Sequence, residues 1–448
     1  MDPFSELKPA LTQDEALSEA NRCLMCFDAP CTRACPTHID VPSFIKKISS
    51  GNLRGSARTI LTANILGASC ARVCPTEVLC EGACVMNGLH HKPIEIGRLQ
   101  RHSTDWLLAR NDKLFSPAPR VTDKMVAIVG GGPSGLACAA ELARLGVGAV
   151  VFEAAHRPGG LNTYGVAEYK MTAAFALREI EWVEQHGVEI RCGVTVGKDV
   201  TIADLERDYA AVFVGVGLGR ISALGIPGEQ TAGVLDSLDF IQAVKTNRKS
   251  AHIGQRVVVI GGGNTAIDAV TQAARLGAGE VHLAYRRGRE DMPAYDHEVE
   301  LAVRAGCRFE FHVAPTRVVG DGKVEGIELV RTRAAVPGGK GPVEIIAGSE
   351  FVLPCDTILK ANGQDSRGGF LSSLPGVKLE RGRPVVDGEY RTSNPRYFAG
   401  GDCLSGGKEV VNAVAEGKLA AQAIARQLTP GAAAHLPSSQ TSTQPERH

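Results

Sequence analysis

The chain has 448 residues, 44% of them hydrophobic and 22% charged, and its 49 basic side chains balance 49 acidic ones. That length suits two or three domains, and zero net charge gives no electrostatic case for nucleic acid or an anionic membrane. No apolar run reaches the roughly 18 residues of a membrane span, and the acidic opening MDPFSELKPALTQDEAL has no apolar h-region, so no export signal is expected and the cytoplasm is the expected compartment.

Thr12-x-x-Glu15 has the form of a capping box and opens a short helix leading to Cys23. Pro42 starts a second helix that Gly51 ends, a third covers about 54–63, and a fourth covers about 94–109. Between and around these lie eight cysteines in two runs of four. The first is Cys23-x2-Cys26-x4-Cys31-x3-Cys35, with Pro36 next; the second is Cys70-x3-Cys74-x5-Cys80-x3-Cys84, with Pro75 after Cys74. Closely spaced cysteines ending in Cys-Pro mark 4Fe–4S sites, and the fourth cysteine of such a run often ligates the other cluster. Two clusters that share both runs are therefore expected. Structural zinc would pair two tight knuckles, and only Cys23/Cys26 makes one. Residues 1–118 thus form an expected small all-helical domain carrying two 4Fe–4S clusters, with a modest apolar core that the metal helps to hold. The stretch NDKLFSPAPRVTDK (111–124) has the composition of a linker.

The pattern then changes to α/β. MVAIV (125–129) reads as a buried strand, Gly130-x-Gly132-x-x-Gly135 follows, a helix continues from it, and AVVFE (149–153) ends in Glu153. This is the dinucleotide fingerprint in its required setting of strand, glycine turn, helix, strand and acid. Gly132 lets the backbone approach the pyrophosphate, and Glu153 would accept from ribose hydroxyls. A second copy runs from RVVVI (256–260) through Gly261-x-Gly263-x-x-Ala266 to EVHLAY (280–285), where Arg286-Arg287 stands in place of an acid. Arginine there suits the 2′-phosphate of NADP, though a basic pair at a strand end is equally at home in solvent. DTILKANGQ (356–364) reads as the returning strand. RYFAGGDC (396–403) reads as a strand ending in Gly400-Gly401-Asp402, before a helix from about 409 to 428. Asp402 would bind the ribityl chain of a flavin.

The expected architecture is two Rossmann-like dinucleotide-binding domains preceded by the helical domain. FAD takes 119–250 and 366–430, NAD(P) takes 251–365, and 431–448 has a disordered composition. Cys138, Cys192, Cys307, Cys355 and Cys403 make no redox pair by spacing, so electrons are expected to leave through the clusters. Hydride transfer to a flavin needs stacking and distance, so no catalytic acid or base is named.

At CLMCFDAPCTRACPTHIDVPSFI, GASCARVCPTEVLCEGACV, PIEIGRLQR, GGGPSGLACAAELARLG, RPGGLNTYGVAEYK, GGGNTAIDA, YRRGREDMPAY and FAGGDCLSGGKEVVNAVAEGK, the chain resembles the electron-input half of dihydropyrimidine dehydrogenase. It is similar to the separate FAD/iron–sulfur subunit of the bacterial NAD-dependent enzyme, with the glutamate synthase small subunit a near cousin. GGKEVVNAVAEGK favours the pyrimidine enzyme. The resemblance implies that Cys23, Cys26, Cys31 and Cys84 hold one cluster, that Cys35, Cys74, Cys80 and Gln100 hold the other, and that Cys70 is unligated. It also carries cofactor contacts onto Pro133, Ser134, Gly160, Leu161, Asn264 and Thr265. It implies a partner subunit, an FMN/iron–sulfur barrel that reduces uracil and thymine, in a hetero-oligomer. This chain lacks the roughly 250 residues of strand–helix repeats that such a barrel needs. Pro293 stands where the eukaryotic enzyme has a second arginine, so NAD(H) is the expected dinucleotide and NADP(H) the alternative.

Overall fold

The computed structural model describes residues 2–335 and 342–430; the tail expected from 431 onward lies outside the described residues. The chain forms two compact units. One comprises 9–160, 175–217 and the chain from 366 onward; the other comprises 1–8, 161–174 and 218–365.

The first unit opens with the helical domain. Thr12 caps the Gln13–Asn21 helix through a reciprocal pair of bonds with Glu15, as the capping-box pattern requires. Asp40 and Asn52 cap the Val41–Ser49 and Leu53–Ala63 helices by accepting from Ser43 N and Gly55 N, without the reciprocal bond. With the Ile96–Arg110 helix these bury Phe44, Ile45, Ile60, Leu99 and Leu107, all without exposed surface. The domain thus has a real apolar core, contrary to the expectation of a modest one. The 3.6-residue spacing of those side chains on several short helices adds up only once the helices meet. A further helix, Gly67–Val73, carries Cys70 and was not legible. Its sequence GASCARV is small-residue up to Ala71 and has no apolar stripe, because it is buried on nearly every side.

The 111–124 stretch forms no helix or strand but is tied down. Trp182 Nε1 donates to Asp112 O at 2.9 Å, and Val121 N to Gly146 O at 3.0 Å. The sheet that follows has five parallel strands in the order Tyr397–Ala399, Ala211–Val214, Met125–Val129, Gly148–Glu153 and Glu189–Cys192. Its edge strand comes from the C-terminal part of the chain, so the second unit is an insertion into a doubly wound sheet. The Pro133–Arg144 and Val410–Leu428 helices cross closely, since a Cβ on Gly417 would fall 2.0 Å from Ser134 O.

The second unit holds another five-stranded parallel sheet, ordered Val234–Asp236, Thr357–Lys360, Arg256–Ile260, Glu280–Tyr285 and Arg308–Phe311. A separate antiparallel sheet is built on Gly326–Ala334, which pairs with Val313–Val319, Val343–Ile345 and Phe351–Pro354. The second unit takes up the chain again at 218, so residues 218–250 belong to the same compact unit as these sheets. Val234–Asp236 is a three-residue edge strand, too short to show periodicity, and the Ser237–Asn247 helix that follows packs in the same core as Val257 and Ile267. No described helix is long and apolar enough to cross a membrane.

Candidate functional site

All thirteen cysteines are free thiols. Those of the two runs sit at helix ends and in tight turns. Cys31 lies in the Pro30–Ala34 helix and Cys35 caps its C-terminus; Cys74 caps the C-terminus of Gly67–Val73. Burial pushes the Cys23 thiol up, and its thiol neighbours are Cys26 and Cys84. Burial pushes Cys31 up to about 11, with Cys23 and Cys84 beside it. The Cys74 thiol is raised by a hydrogen bond with Cys70 and by burial, next to Cys35 and Cys80. Cys80 is raised by burial, next to Glu81, Cys35 and Cys31. Thiols of the two runs therefore lie within electrostatic reach of one another: Cys84 of Cys23 and Cys31, and Cys80 of both Cys31 and Cys35. Buried and half-buried thiols gathered from both runs fit a site that binds metal as thiolates. Among the described residues no three His, Cys, Asp or Glu side chains stand close enough for a single ion. In a cluster each cysteine takes a different iron, which separates the thiols more than one zinc would.

Gln100 is buried on the Ile96–Arg110 helix. Its Nε2 donates to Gly67 O at 2.6 Å, which leaves Oε1 as the free end of the amide. That helix's first turn lies against the second cysteine loop, because Gly97 N donates to Glu81 Oε1 at 2.9 Å. Cys70 is 2% exposed and its sulfur accepts from Asn64 Nδ2 at 3.2 Å. Glu179, which no sequence pattern signals, accepts from the amides of Ala68 and Ser69.

At the first dinucleotide turn Gly130 has φ +107°, and a Cβ there would fall 2.4 Å from Gly215 O. At Gly135 a Cβ would fall 2.0 Å from Gly130 O, so glycine alone lets the helix start so near the strand. Gly132 is different. Its Cβ would meet only the Gly160 Cα at 4.0 Å, so its side faces open space, as a backbone awaiting a pyrophosphate needs. Pro133 opens the helix without an N–H, and Ser134 and Gly135 follow in its first turn, where amides lack helical partners. Glu153 is already engaged. Gly131 N donates to Oε2 and Ala155 N to Oε1, each at 2.7 Å. A carboxylate oxygen accepts more than one bond, so ribose hydroxyls still fit. Gly401 N donates to Glu416 Oε2 at 2.6 Å, and Lys408 N to Asp402 Oδ1 at 3.2 Å. Burial lifts the carboxyls of both Asp402 and Glu416 above their ordinary range. Leu161 begins the short Leu161–Tyr164 helix and belongs to the second unit.

The second turn repeats the logic. A Cβ at Gly261 would fall 2.3 Å from Ala361 O, whereas Gly263 meets nothing within 4 Å. Thr265 is half-buried and Ala266 is fully buried in the first turn of the Asn264–Arg275 helix. Asn264 Oδ1 accepts from Tyr295 N at 3.2 Å and pins the loop that holds Pro293. Arg286 is exposed, while its carbonyl accepts from Thr332 Oγ1 at 2.8 Å. Arg287 is half-buried and its carbonyl accepts from His312 N at 3.1 Å. Both arginines are thus held by their backbones, with the Arg286 side chain presented to solvent.

A family model described as dihydropyrimidine dehydrogenase domain II, 4Fe-4S cluster, matches residues 1–112. A model of pyridine nucleotide-disulphide oxidoreductases matches residues 124–417. The glutamate synthase [NADPH] small chain of Escherichia coli is 37% identical over 94% of this chain and 93% of its own length. The NAD-dependent dihydropyrimidine dehydrogenase subunit PreT of the same organism is 35% identical over 94% and 96%. The putative oxidoreductase AegA is 38% identical, with 94% of this chain matching 67% of that protein. Among solved structures, thioredoxin reductase of T. acidophilum shares the fold at TM-score 0.55 and 24% identity, covering 68% of this chain and 99% of that one. The chain belongs to the pyridine nucleotide-disulphide oxidoreductases, in the group that joins this two-nucleotide fold to an N-terminal 4Fe–4S domain and includes the glutamate synthase small chain and PreT.

Proposed function

We propose that this chain is the electron-input subunit of a dihydropyrimidine dehydrogenase. It would accept a hydride from NADH on FAD and pass the two electrons singly through two 4Fe–4S clusters to a partner. The partner, an FMN/iron–sulfur barrel, would add them with two protons across the C5–C6 bond of uracil or thymine. Cys23, Cys26, Cys31 and Cys84 would hold one cluster, and Cys35, Cys74, Cys80 and Gln100 the other. The Gly132 turn and Asp402 would hold FAD, and the Gly263 turn the nicotinamide dinucleotide, with the cytoplasm as compartment.

The observation that supports the cluster reading is that thiols of the two runs lie within electrostatic reach of one another, Cys84 of Cys23 and Cys31, and Cys35 of Cys74 and Cys80, with Cys31 also near Cys80. Shared runs are what two adjacent clusters require. The protein's own part in the chemistry is placement. It buries the thiols, aims two helix N-termini at phosphates, and offers no titrating side chain for the hydride. GGKEVVNAVAEGK supports the pyrimidine partner. The second reading, a glutamate synthase small subunit, is favoured by the 37% identity to that chain.

The test is anaerobic turnover of uracil by NADH and by NADPH, with and without the protein encoded next to this chain. Uracil reduction only with the neighbour, and faster with NADH, is the expected result. Dye reduction alone, whatever the neighbour, would move the assignment to glutamate synthase or another acceptor. Pro293→Arg should raise kcat/KM for NADPH by about tenfold, the value of one good charge contact.

A further inference from the structure

Within the first unit a single buried carboxylate ties the flavin-type sheet domain to the iron–sulfur domain. Glu179, on the Ala173–Glu184 helix, is 1% exposed. Its Oε1 accepts from Ala68 N at 2.8 Å and Ser69 N at 3.1 Å; its Oε2 accepts from Ser69 N at 3.1 Å and from the Ser69 hydroxyl. These amides begin the Gly67–Val73 helix, whose own N-cap, Leu66, offers no side-chain acceptor. The carboxylate that caps this helix is therefore supplied from 110 residues away in sequence.

The capped helix carries the parts that matter at the second group of thiols. It ends at Cys74. It begins at Gly67, whose carbonyl takes the Gln100 Nε2 hydrogen bond at 2.6 Å. A glutamine amide has a donor end and an acceptor end, and only the oxygen binds iron. Holding Nε2 on Gly67 O therefore selects the flip in which Oε1 is left for metal. Gly67 is packed closely enough that a side chain there would displace it, since an added Cβ would fall 2.6 Å from Ile60 Cγ2.

We propose that Glu179 is a positioning residue for the second cluster. By fixing the start of the Gly67–Val73 helix it fixes the Gly67 carbonyl, and through it the orientation of the Gln100 amide. The inference rests on the reading above that Cys74 and Gln100 are ligands. It assigns to a residue of the sheet domain control over the coordination of an iron atom it does not touch.

The test uses the full chain loaded anaerobically with 57Fe, as wild type, E179A, E179D, E179Q and Q100A. FAD content, iron content and Mössbauer spectra are read, not activity. An iron with one oxygen ligand gives a minority doublet distinct from that of the all-cysteine irons. In the wild type that doublet is present, and Q100A abolishes it. E179A should keep FAD and the all-cysteine cluster and lose or shift the minority doublet as Q100A does. E179Q, which retains a carbonyl acceptor for the Ala68 and Ser69 amides, should restore it. If E179A does not fold, E179D decides, since it is one methylene too short to reach both amides; a shifted doublet supports the proposal and an unchanged one overturns it. A wild-type spectrum with the doublet, left unchanged in E179A, overturns the role of Glu179 alone. A wild-type spectrum without it, or one that Q100A does not alter, overturns the ligand reading and the proposal with it.

Discussion

The ammonium of Lys170 lies 2.7 Å from Asp268 Oδ1 in an interior pair, with the two side chains 11% and 10% exposed. Glu298 Oε1 is also 2.7 Å from it, and Tyr169 donates to Asp268 at 3.1 Å. Burial works against the lysine's charge, but the two carboxylates outweigh it and raise its pKa. The pair ties the 161–174 segment to the Asn264–Arg275 helix within the second unit.

Lys170→Met should therefore be severe. It leaves two buried carboxylates facing one another, a loss of about 3–5 kcal/mol by comparison with other broken buried pairs. Thermal denaturation followed by circular dichroism should show a Tm lowered by several degrees. An unchanged Tm would mean that the pair is solvated.

The two glycine turns should separate binding from folding. Gly263→Val adds a side chain where nothing lies within 4 Å, so the variant should fold, keep its flavin and lose affinity for NADH by tenfold or more. Gly135→Val would drive its Cβ toward Gly130 O, 2.0 Å away, and should give no folded protein. Titration of flavin reduction against NADH, beside a melting curve, checks both.

The cysteines should not be equivalent. Cys74→Ala should lower iron per chain by about half, since losing a ligand discharges a cluster. Cys70→Ala should leave iron unchanged, although it removes the sulfur that accepts from Asn64 and costs about 1 kcal/mol for that bond. Iron analysis of anaerobically purified variants distinguishes them.

Lys245 gives stability a pH dependence. Burial lowers its pKa from 10.5 to about 8, and its ammonium donates to Val166 O at 2.9 Å and Met171 O at 2.5 Å. In the unfolded chain the lysine stays protonated until higher pH, so between about 8 and 10.5 the unfolded state binds the extra proton. This group's contribution therefore rises with pH across that window and falls away as pH drops through about 8. Lys245→Met should flatten the slope in urea denaturation at pH 8 and pH 10, and destabilise the fold by about 1–3 kcal/mol through the two carbonyls left unpaired. A slope equal to that of wild type would rule the assignment out.

Much of this molecule was legible because its signals are local. The strands at 125–129, 256–260 and 280–285 are where their apolar runs predict. The capping box at Thr12 forms between residues three apart, and Gly135 is held to glycine by Gly130 O within one strand–helix junction. The cysteine runs pointed to an iron–sulfur domain through spacing alone, and the 4Fe-4S family model matches that part of the chain.

What the sequence could not give depends on residues far apart along the chain. The three-residue strand Val234–Asp236 has no periodicity of its own and joins the second sheet by pairing with Thr357–Lys360, much further along the chain. Gly67–Val73 has no apolar stripe, because a helix buried on most sides needs none. Glu179 looks like any acid on a helix until folding brings it to amides 110 residues away. The two nucleotide turns and the eight thiols are written in local spacing. Which thiols become neighbours, and what holds Gln100, come from packing between helices whose order in the chain says nothing of their order in space.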